Sequence, residues 1–356
     1  MSRMEHFEVP TVDISPWVAP GGSPANRTAA ARALDDACRS VGFVQVLGHQ
    51  VPESAIEGLK AAMDAFFGQP LATKKTYRTP PEINRGYTAP KSESLSLSLG
   101  VESASRMNDF FEAFNVGCAR SDYPHVPDLP ATDYAENLWP QDAPGFDAAQ
   151  FRRGVSAYFD QAGRVARVLT RMFADALDVA PSVFASVEDH SIDVLRMNNY
   201  ALPPGTVDLD GDLTGMGEHT DYGIVTVLWA DQVPGLQVLG ADHRWHDVSP
   251  IDGALLVNLG DVTARWTNER YLSTLHRVKP PIVDGTIERR RSAAYFHDGN
   301  IDAVISTIPS CIGAEGELYP PTTIGDNLKA KLAGSRAGQA NPYAQREADR
   351  LRGADA

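Results

Sequence analysis

The chain has 356 residues, 43% hydrophobic and 22% charged, a balance that excludes a disordered or fibrous protein and allows a sizeable core. Its formal net charge of −14 excludes a non-specific nucleic-acid binder, which needs clustered Lys and Arg to neutralise phosphates. Cys38, Cys118 and Cys311 lie too far apart for a Cys-x-x-Cys metal knuckle or a disulfide framework, and no apolar run is long enough to span a membrane.

The N-terminus, "MSRMEHFEVPTVDIS", has no apolar core flanked by basic residues and is not read as a signal peptide, so a reducing cytoplasm is the expected location. "FEVPTVDIS" reads as an alternating strand with Pro10 near its start. Ser23-Pro24 joins an N-cap to a first-turn proline and predicts a helix to about Ser40. "GFVQVLG" reads as a buried strand, and "PESAIEGLKAAMDAFFGQP" as an amphipathic helix closed by Gly68 and Pro70. Residues 80 to 147, rich in Pro, Gly, Ser and Asp, are expected to run as long loops with short elements. A long helix is predicted near 148 to 178, where Phe151, Val155, Ala162, Val165, Leu169 and Phe173 recur at helical steps as one apolar stripe.

After Asp193 the texture changes. "DVLRMNNY", "GIVTVLW", "GLQVLG", "RWHDV", "ALLVNLG", "YLSTLHRV" and "RSAAYFH" are short strand-like runs without helices between them, which predicts an antiparallel sandwich or barrel. From Leu328 to Ala356 a helix and a frayed tail are expected.

Within this region "GEHTDYG" places His219 two residues before Asp221. On a strand, such residues share one face and can converge on one ion. His276, 55 positions beyond Asp221, is the natural third ligand. Two imidazoles and one carboxylate leave neighbouring positions of an octahedral ion open, the facial triad of non-haem Fe(II) oxygenases. Of the remaining histidines, His243 and His246 read as surface residues, His6, His49, His125 and His190 have no partner at ligand spacing, and His297-Asp298 reads as a turn.

"ERRRSAAYFH" adds Arg290 and Ser292, again on one strand face. A guanidinium beside a hydroxyl clamps a carboxylate, and an arginine facing a barrel interior requires a negative partner. The far carboxylate of a small dicarboxylic acid, chelating the metal at its other end, would supply it. Arg289 and Arg291 fit a solvated basic run better.

"MGEHTDYGIVTVLWADQVPGLQVL", "DGALLVNLGDVTARWTNERYLSTLHRV" and "RRSAAYF" together resemble the 2-oxoglutarate- and Fe(II)-dependent oxygenases of the isopenicillin N synthase-like superfamily. "VPTVDIS", "GFVQVLGHQVP", "AFFGQP", "RGY" and "NLWP" resemble that family's N-terminal module, so the resemblance runs in order from about residue 8 to 300. It implies a mainly β fold with flanking helices, a double-stranded β-helix (jelly-roll) barrel core supported by a long helix and an N-terminal α/β module. It further implies Fe(II) on His219, Asp221 and His276 inside one mouth of the barrel, and 2-oxoglutarate held by Arg290 and Ser292. "LRMNNYALPPG" resembles the family's Arg-x-Asn-x-Tyr stretch, implying Tyr200 at the co-substrate carboxylate and Asn198 near its chelating end. Two loops depart from the pattern. The fourteen-position step from His276 to Arg290 is longer than usual and implies a longer hairpin, and "YALPPG" extends another loop.

The implied reaction consumes O2 and 2-oxoglutarate, releases succinate and CO2, and hydroxylates, desaturates or cyclises a small organic metabolite. Asp221 argues for oxygenation over halogenation, which needs a small residue there to admit halide. Competing readings are an Fe(II) oxidase or cyclase of the same fold that does not use 2-oxoglutarate, a zinc hydrolase on the same ligands, and a non-catalytic binding module. The hydrolase lacks a general base at motif spacing. The expected organisation is an N-terminal module over 8–125, a jelly-roll core over 190–300 and a C-terminal extension over 301–356, one integrated catalytic unit without nucleic-acid or membrane partners. Leu95, Leu97, Leu99, Phe110, Phe111, Phe114 and Phe296 are candidates to line the substrate pocket, although Phe111 and Phe114, at helical spacing, read equally as core.

Overall fold

The computed structural model describes residues 7–90, 92, 109–201, 215–283 and 286–337. The N-terminal third contains β1 (Thr11–Asp13), α1 (Ser15–Val18), α2 (Pro24–Ser40), β2 (Phe43–Leu47), α3 (Glu53–Phe67), α4 (Leu71–Lys75), β3 (Gly86–Thr88) and β4 (Glu112–Gly117). Two helices, α5 (Ala148–Ala176) and α6 (Ser182–Ala185), lead into β5 (Val194–Tyr200), β6 (Met216–His219), β7 (Val225–Ala230), β8 (Leu236–Leu239), β9 (Trp245–Asp247) and β10 (Leu255–Leu259). The rest comprises α7 (Asp261–Trp266), β11 (His276–Val278), β12 (Ile282–Val283), β13 (Thr286–Ile287), β14 (Arg290–His297), β15 (Val304–Ile305), β16 (Thr322–Thr323) and α8 (Ile324–Ala337).

The helices begin where their sequence signals stand. The Ser23 hydroxyl accepts from the Asn26 N–H at 3.2 Å, and Pro24 occupies the first turn of α2. Asp147 Oδ1 accepts from the Gln150 N–H at 2.7 Å and opens the 29-residue α5. One face of α5 buries Phe151, Val155, Ala162, Val165, Leu169 and Phe173, and the helix packs on β7 and β14 while α2 and α3 pack on it. Gly154 permits the α3 crossing, because a Cβ there would meet the Gly58 carbonyl oxygen at 2.4 Å.

Eight strands form one sheet in the order β1-β2-β10-β7-β14-β5-β4-β3, and four form another, β6-β11-β8-β9. Residues of both sheets line a common cleft, so the sheets face each other in the expected jelly-roll manner. The strands preceding α5 add to both edges of the larger sheet: β1 and β2 to one side, β3 and β4 to the other. The first and second halves of the chain therefore share one sheet.

The described part of the stretch 80 to 147 runs as loops with short elements, as expected, and one of them, β4, pairs along β5 with every residue buried. Two expectations change. The strand-rich region contains a helix, α7, whose Asp261 stands in the first turn and whose six residues are all buried. "YLSTLHRV" is strand only from His276, because Tyr271 and Leu272 are drawn away, the former to Asp35 through its hydroxyl and the latter to the Cys38 carbonyl through its N–H. The longer connection after His276 contains the β12–β13 pair, as expected of an extended hairpin. The extended "YALPPG" loop beyond Ala201 and the tail beyond residue 337 lie outside the described residues. Among the described residues no helix is long and apolar enough to cross a membrane.

Candidate metal centre and co-substrate cleft

His219 ends β6 and His276 begins β11, and the two are register partners on neighbouring strands. Asp221 is not on the strand, since β6 stops at His219. It stands just beyond, where its carbonyl accepts the Asp261 N–H at 2.9 Å. Its side chain still turns to the histidines: Asp221 Oδ1 lies 3.8 Å from His219 Nε2 and 3.7 Å from His276 Nε2. One ligand atom from each residue falls within 4.8 Å of the others, and all three residues are buried.

Hydrogen bonds orient this set. His219 Nδ1 bonds the Gly217 carbonyl at 2.8 Å and His276 Nδ1 the Thr274 carbonyl at 3.0 Å. A carbonyl only accepts, so Nδ1–H donates and each Nε2 lone pair points to the shared centre. Burial, then the neighbouring His276, pushes His219 down to about 3, which keeps its ring neutral and ready to ligate. Burial opposes the charge on Asp221, but the two imidazoles and hydrogen bonds from Thr226 and Asn258 outweigh it and hold the carboxyl below its usual range. Thr226 Oγ1 donates at 2.5 Å and Asn258 Nδ2 at 2.6 Å, both to Oδ2, which leaves Oδ1 for a metal. Neither Thr226 in "GIVTVLW" nor Asn258 in "ALLVNLG" was singled out by sequence. A single polar residue within each apolar run was the available signal.

The second group lies in the same cleft. Arg290 and Ser292 on β14 stand opposite Tyr200 and Asn198 on β5, pair by pair in the strand register. All four are buried and line the cleft together with His219, Asp221 and His276. Arg290 places its guanidinium carbon 5.1 Å from the Tyr200 ring centre and is 2% exposed, yet its Nε and Nη1 have no hydrogen-bond partner among the described residues. A buried cation with unspent donors calls for an anion. Burial pushes the Tyr200 hydroxyl up, so it remains a protonated donor. Arg289 and Arg291 instead turn to Asp64: Arg289 is exposed, as a solvated run would be, whereas Arg291 is half-buried and also pairs with Asp231.

Phe43, Met216, Leu228, Leu236 and Val278 give the cleft apolar walls, and it holds about 990 Å³ of space with its mouth included. Phe296 lines it, but Phe110, Phe111 and Phe114 do not. The first two pack on Tyr200, and Phe114 packs between Phe66 and Phe151. They are core on a strand and its approach, not on a helix. Leu95, Leu97 and Leu99 lie outside the described residues. Asn84, Asn115, Arg196 and Asp298 line the cleft without having been expected there.

His297 also corrects the sequence reading. It is no turn residue but the fully buried end of β14, with Nδ1 2.8 Å from Asp193 Oδ1. His246, by contrast, pairs with Asp242 on the surface, as expected.

Two family models match the chain: the N-terminal segment of non-haem dioxygenases in morphine synthesis over residues 9–142, and the 2OG-Fe(II) oxygenase superfamily over residues 192–299. A 2-oxoglutarate-Fe(II) type oxidoreductase of Emericella nidulans is 31% identical over 96% of this chain and 94% of its own. Clavatol oxidase of Penicillium crustosum is 31% identical over 93% of this chain and 97% of its own. Among solved structures, a full-length Neurospora crassa protein in complex with alpha-KG and thymine superposes with a TM-score of 0.78 at 26% identity, over 93% of this chain and 98% of that one.

Proposed function

Since the chain belongs to the 2OG-Fe(II) oxygenase superfamily, we propose that His219, Asp221 and His276 hold Fe(II), that Arg290 and Ser292 grip the distal carboxylate of 2-oxoglutarate, and that Tyr200 and Asn198 complete its cradle. The protein is then a dioxygenase acting on a small organic metabolite. The observation that carries this reading is the buried Arg290, with two orphaned donors, in one cleft with a ready-made facial triad. That arginine favours a 2-oxoglutarate-dependent reaction over an oxidase of the same fold, which would leave the cation unmatched.

The residues present fit both groups. Two imidazoles and one carboxylate are a donor set suited to Fe(II), and a metal held by only these three side chains would have room for a chelating keto acid. Together these supply the oxidising power, coupling decarboxylation of 2-oxoglutarate to succinate and CO2 with oxidation of a substrate C–H bond. The chain's own part is positional. Gly217 and Thr274 carbonyls fix the two rings, while Thr226 and Asn258 fix the carboxylate. Ser292 and the Tyr200 hydroxyl orient the anion beside Arg290, and the apolar walls exclude water from it. The segments 8–125, 190–300 and 301–356 work as one catalytic unit, since strands from before α5 continue the sheet that bears Arg290. A reducing cytoplasm suits its three unpaired cysteines.

The test is anaerobic addition of Fe(II) and 2-oxoglutarate. A visible charge-transfer band from the chelate, absent in His219→Ala and weakened in Arg290→Gln, is expected, followed by succinate release on admitting oxygen. Turnover supported by Zn(II) and indifferent to oxygen would overturn the reading.

A further inference from the structure

One carboxyl in the cleft is used by neither the metal nor the co-substrate reading. Arg290, Ser292, Ala294 and Phe296 line the cleft in steps of two along β14, and Asp298 continues that series just past the strand end. It is 5% exposed, yet among the described residues no hydrogen bond or ion pair reaches its carboxyl. Only its backbone N–H is engaged, donating to Asp193 Oδ1 at 3.3 Å.

A Cβ on residue 223 would lie 1.9 Å from Asp298 Oδ1 and 2.8 Å from Asp298 Cα, so a glycine at 223 lets backbone and carboxyl of Asp298 pack close beside it. This gives the final glycine of "GEHTDYG" a purpose separate from the metal. Burial first, then the charges of Asp193 and Asp221, push the Asp298 carboxyl up to about 8. A carboxylate surrounded by donors would move the other way. Asn115 Oδ1, from another residue lining the cleft, is a buried acceptor without a partner among the described residues. Phe296 and a cluster of Tyr222, Leu328 and Leu332 supply apolar surface to the same cleft.

We propose that Asp298 is a specificity-determining residue that receives an N–H or O–H donor of the prime substrate, a small and largely apolar compound whose body lies against Phe296, Tyr222, Leu328 and Leu332. This rests on the oxygenase reading of the cleft. A buried acceptor satisfied only by ligand discriminates strongly against an analogue that lacks the donor, because that analogue leaves the carboxyl desolvated and unmatched. A purely hydrophobic pocket would not make that distinction.

Ligand-observed NMR on the metal-free full-length chain tests it with matched fragment pairs: phenol against anisole, and 2-pyridone against N-methyl-2-pyridone. In each pair, measured above pH 8 where the Asp298 carboxyl is ionised and only accepts, the donor-bearing member binds the wild type about tenfold more tightly, the gap expected of one hydrogen bond to a charged group. The gap closes in Asp298→Ala and survives in Asp298→Asn, whose amide carbonyl still accepts. Equal binding of both members by the wild type overturns the proposal, even if Asp298→Ala does not fold. So does a gap that persists in Asp298→Ala. The Fe(II) and 2-oxoglutarate band of the wild type is scored separately. Its loss would sink the oxygenase reading while leaving donor discrimination measurable in the metal-free protein.

Discussion

Lys331, buried on α8, donates a 3.0 Å hydrogen bond to the hydroxyl of Thr220, the residue that separates His219 from Asp221. Its ammonium also lies 2.8 Å from Asp261 Oδ2, with both side chains almost wholly out of water. Asp261 accepts from Thr220 and Ser273, and its backbone N–H holds the Asp221 carbonyl. The ion pair therefore ties α8 to α7, and the Thr220 contact ties both to the turn between His219 at the end of β6 and Asp221, two of the three proposed metal ligands. Removing one partner leaves an uncompensated buried charge, so Lys331→Met should cost about 3–5 kcal/mol in chemical denaturation and weaken Fe(II) binding. Lys331→Met combined with Asp261→Asn should recover much of that stability. A single variant as stable as wild type would show that the pair does not hold the helix.

Arg290 predicts a change of the opposite sign in the free protein. Its guanidinium is buried with Nε and Nη1 unmatched, a desolvation cost of about 1–3 kcal/mol per orphaned group that a ligand anion offsets. Arg290→Met removes the cost and should raise the melting temperature without ligand. The variant should also lose the stabilisation by 2-oxoglutarate, which in wild type reaches about 2.7 kcal/mol at a hundred times Kd. Thermal scans with and without 2-oxoglutarate measure both effects. A variant still stabilised by the keto acid would remove Arg290 from its binding site.

How far the sequence carried depends on the range of the interaction. α2, α3 and α5 were legible because each is set by its own apolar period and α2 additionally by its cap, all local in the chain. Arg290, Ser292, Tyr200 and Asn198 were legible as a set because a family pattern linked strands that only the fold brings into register. β4 is legible only as one of the short elements expected in a loop-rich stretch and not as a strand, since a strand buried on both faces shows no alternation. α7 was missed because its six residues are fixed by tertiary contacts more than by propensity. His297 and Asp298 looked like turn residues because nothing nearby in sequence announces Asp193 or Gly223, which lie far away in the chain and adjacent in space.

Asn258 tests the support of the metal ligands without touching the metal. Its amide donates to Asp221 Oδ2 and helps to keep that carboxyl ionised and turned so that Oδ1 faces the imidazoles. Losing such a partner typically lowers metal affinity about 10–100-fold. Asn258→Ala should therefore shift the Fe(II) titration of the 2-oxoglutarate band to higher metal by that factor. The affinity for 2-oxoglutarate at saturating Fe(II) should stay close to wild type. A loss confined to 2-oxoglutarate would place Asn258 in the co-substrate cradle instead.

The pair beneath the sheet gives a pH signature. Burial alone would lower His297, but Asp193 at 2.8 Å and Glu188 at 3.4 Å outweigh it and raise the imidazole to about 9. Burial likewise opposes the charge of Asp193, and His297, Arg167 and Ser191 hold that carboxyl far below its usual range. A histidine raised on folding stabilises fully below its unfolded value of 6.5 and loses that contribution as pH climbs through about 9. At about 1.4 kcal/mol per pH unit the contribution is of the order of 3 kcal/mol. The depressed aspartate stabilises above its unfolded value of 3.8 and loses its share only as pH falls below that. The two windows overlap between about 4 and 6.5, and stability should decline from pH 6.5 to 9, well before tyrosines and lysines titrate. His297→Gln removes this titrating group, so its stability should start lower and fall less steeply across that interval, where the ionisation of Asp298, held up to about 8, still contributes a slope. Denaturant midpoints measured every half unit of pH compare the two slopes. Parallel alkaline limbs in wild type and His297→Gln would mean that this histidine carries no charge in the folded protein.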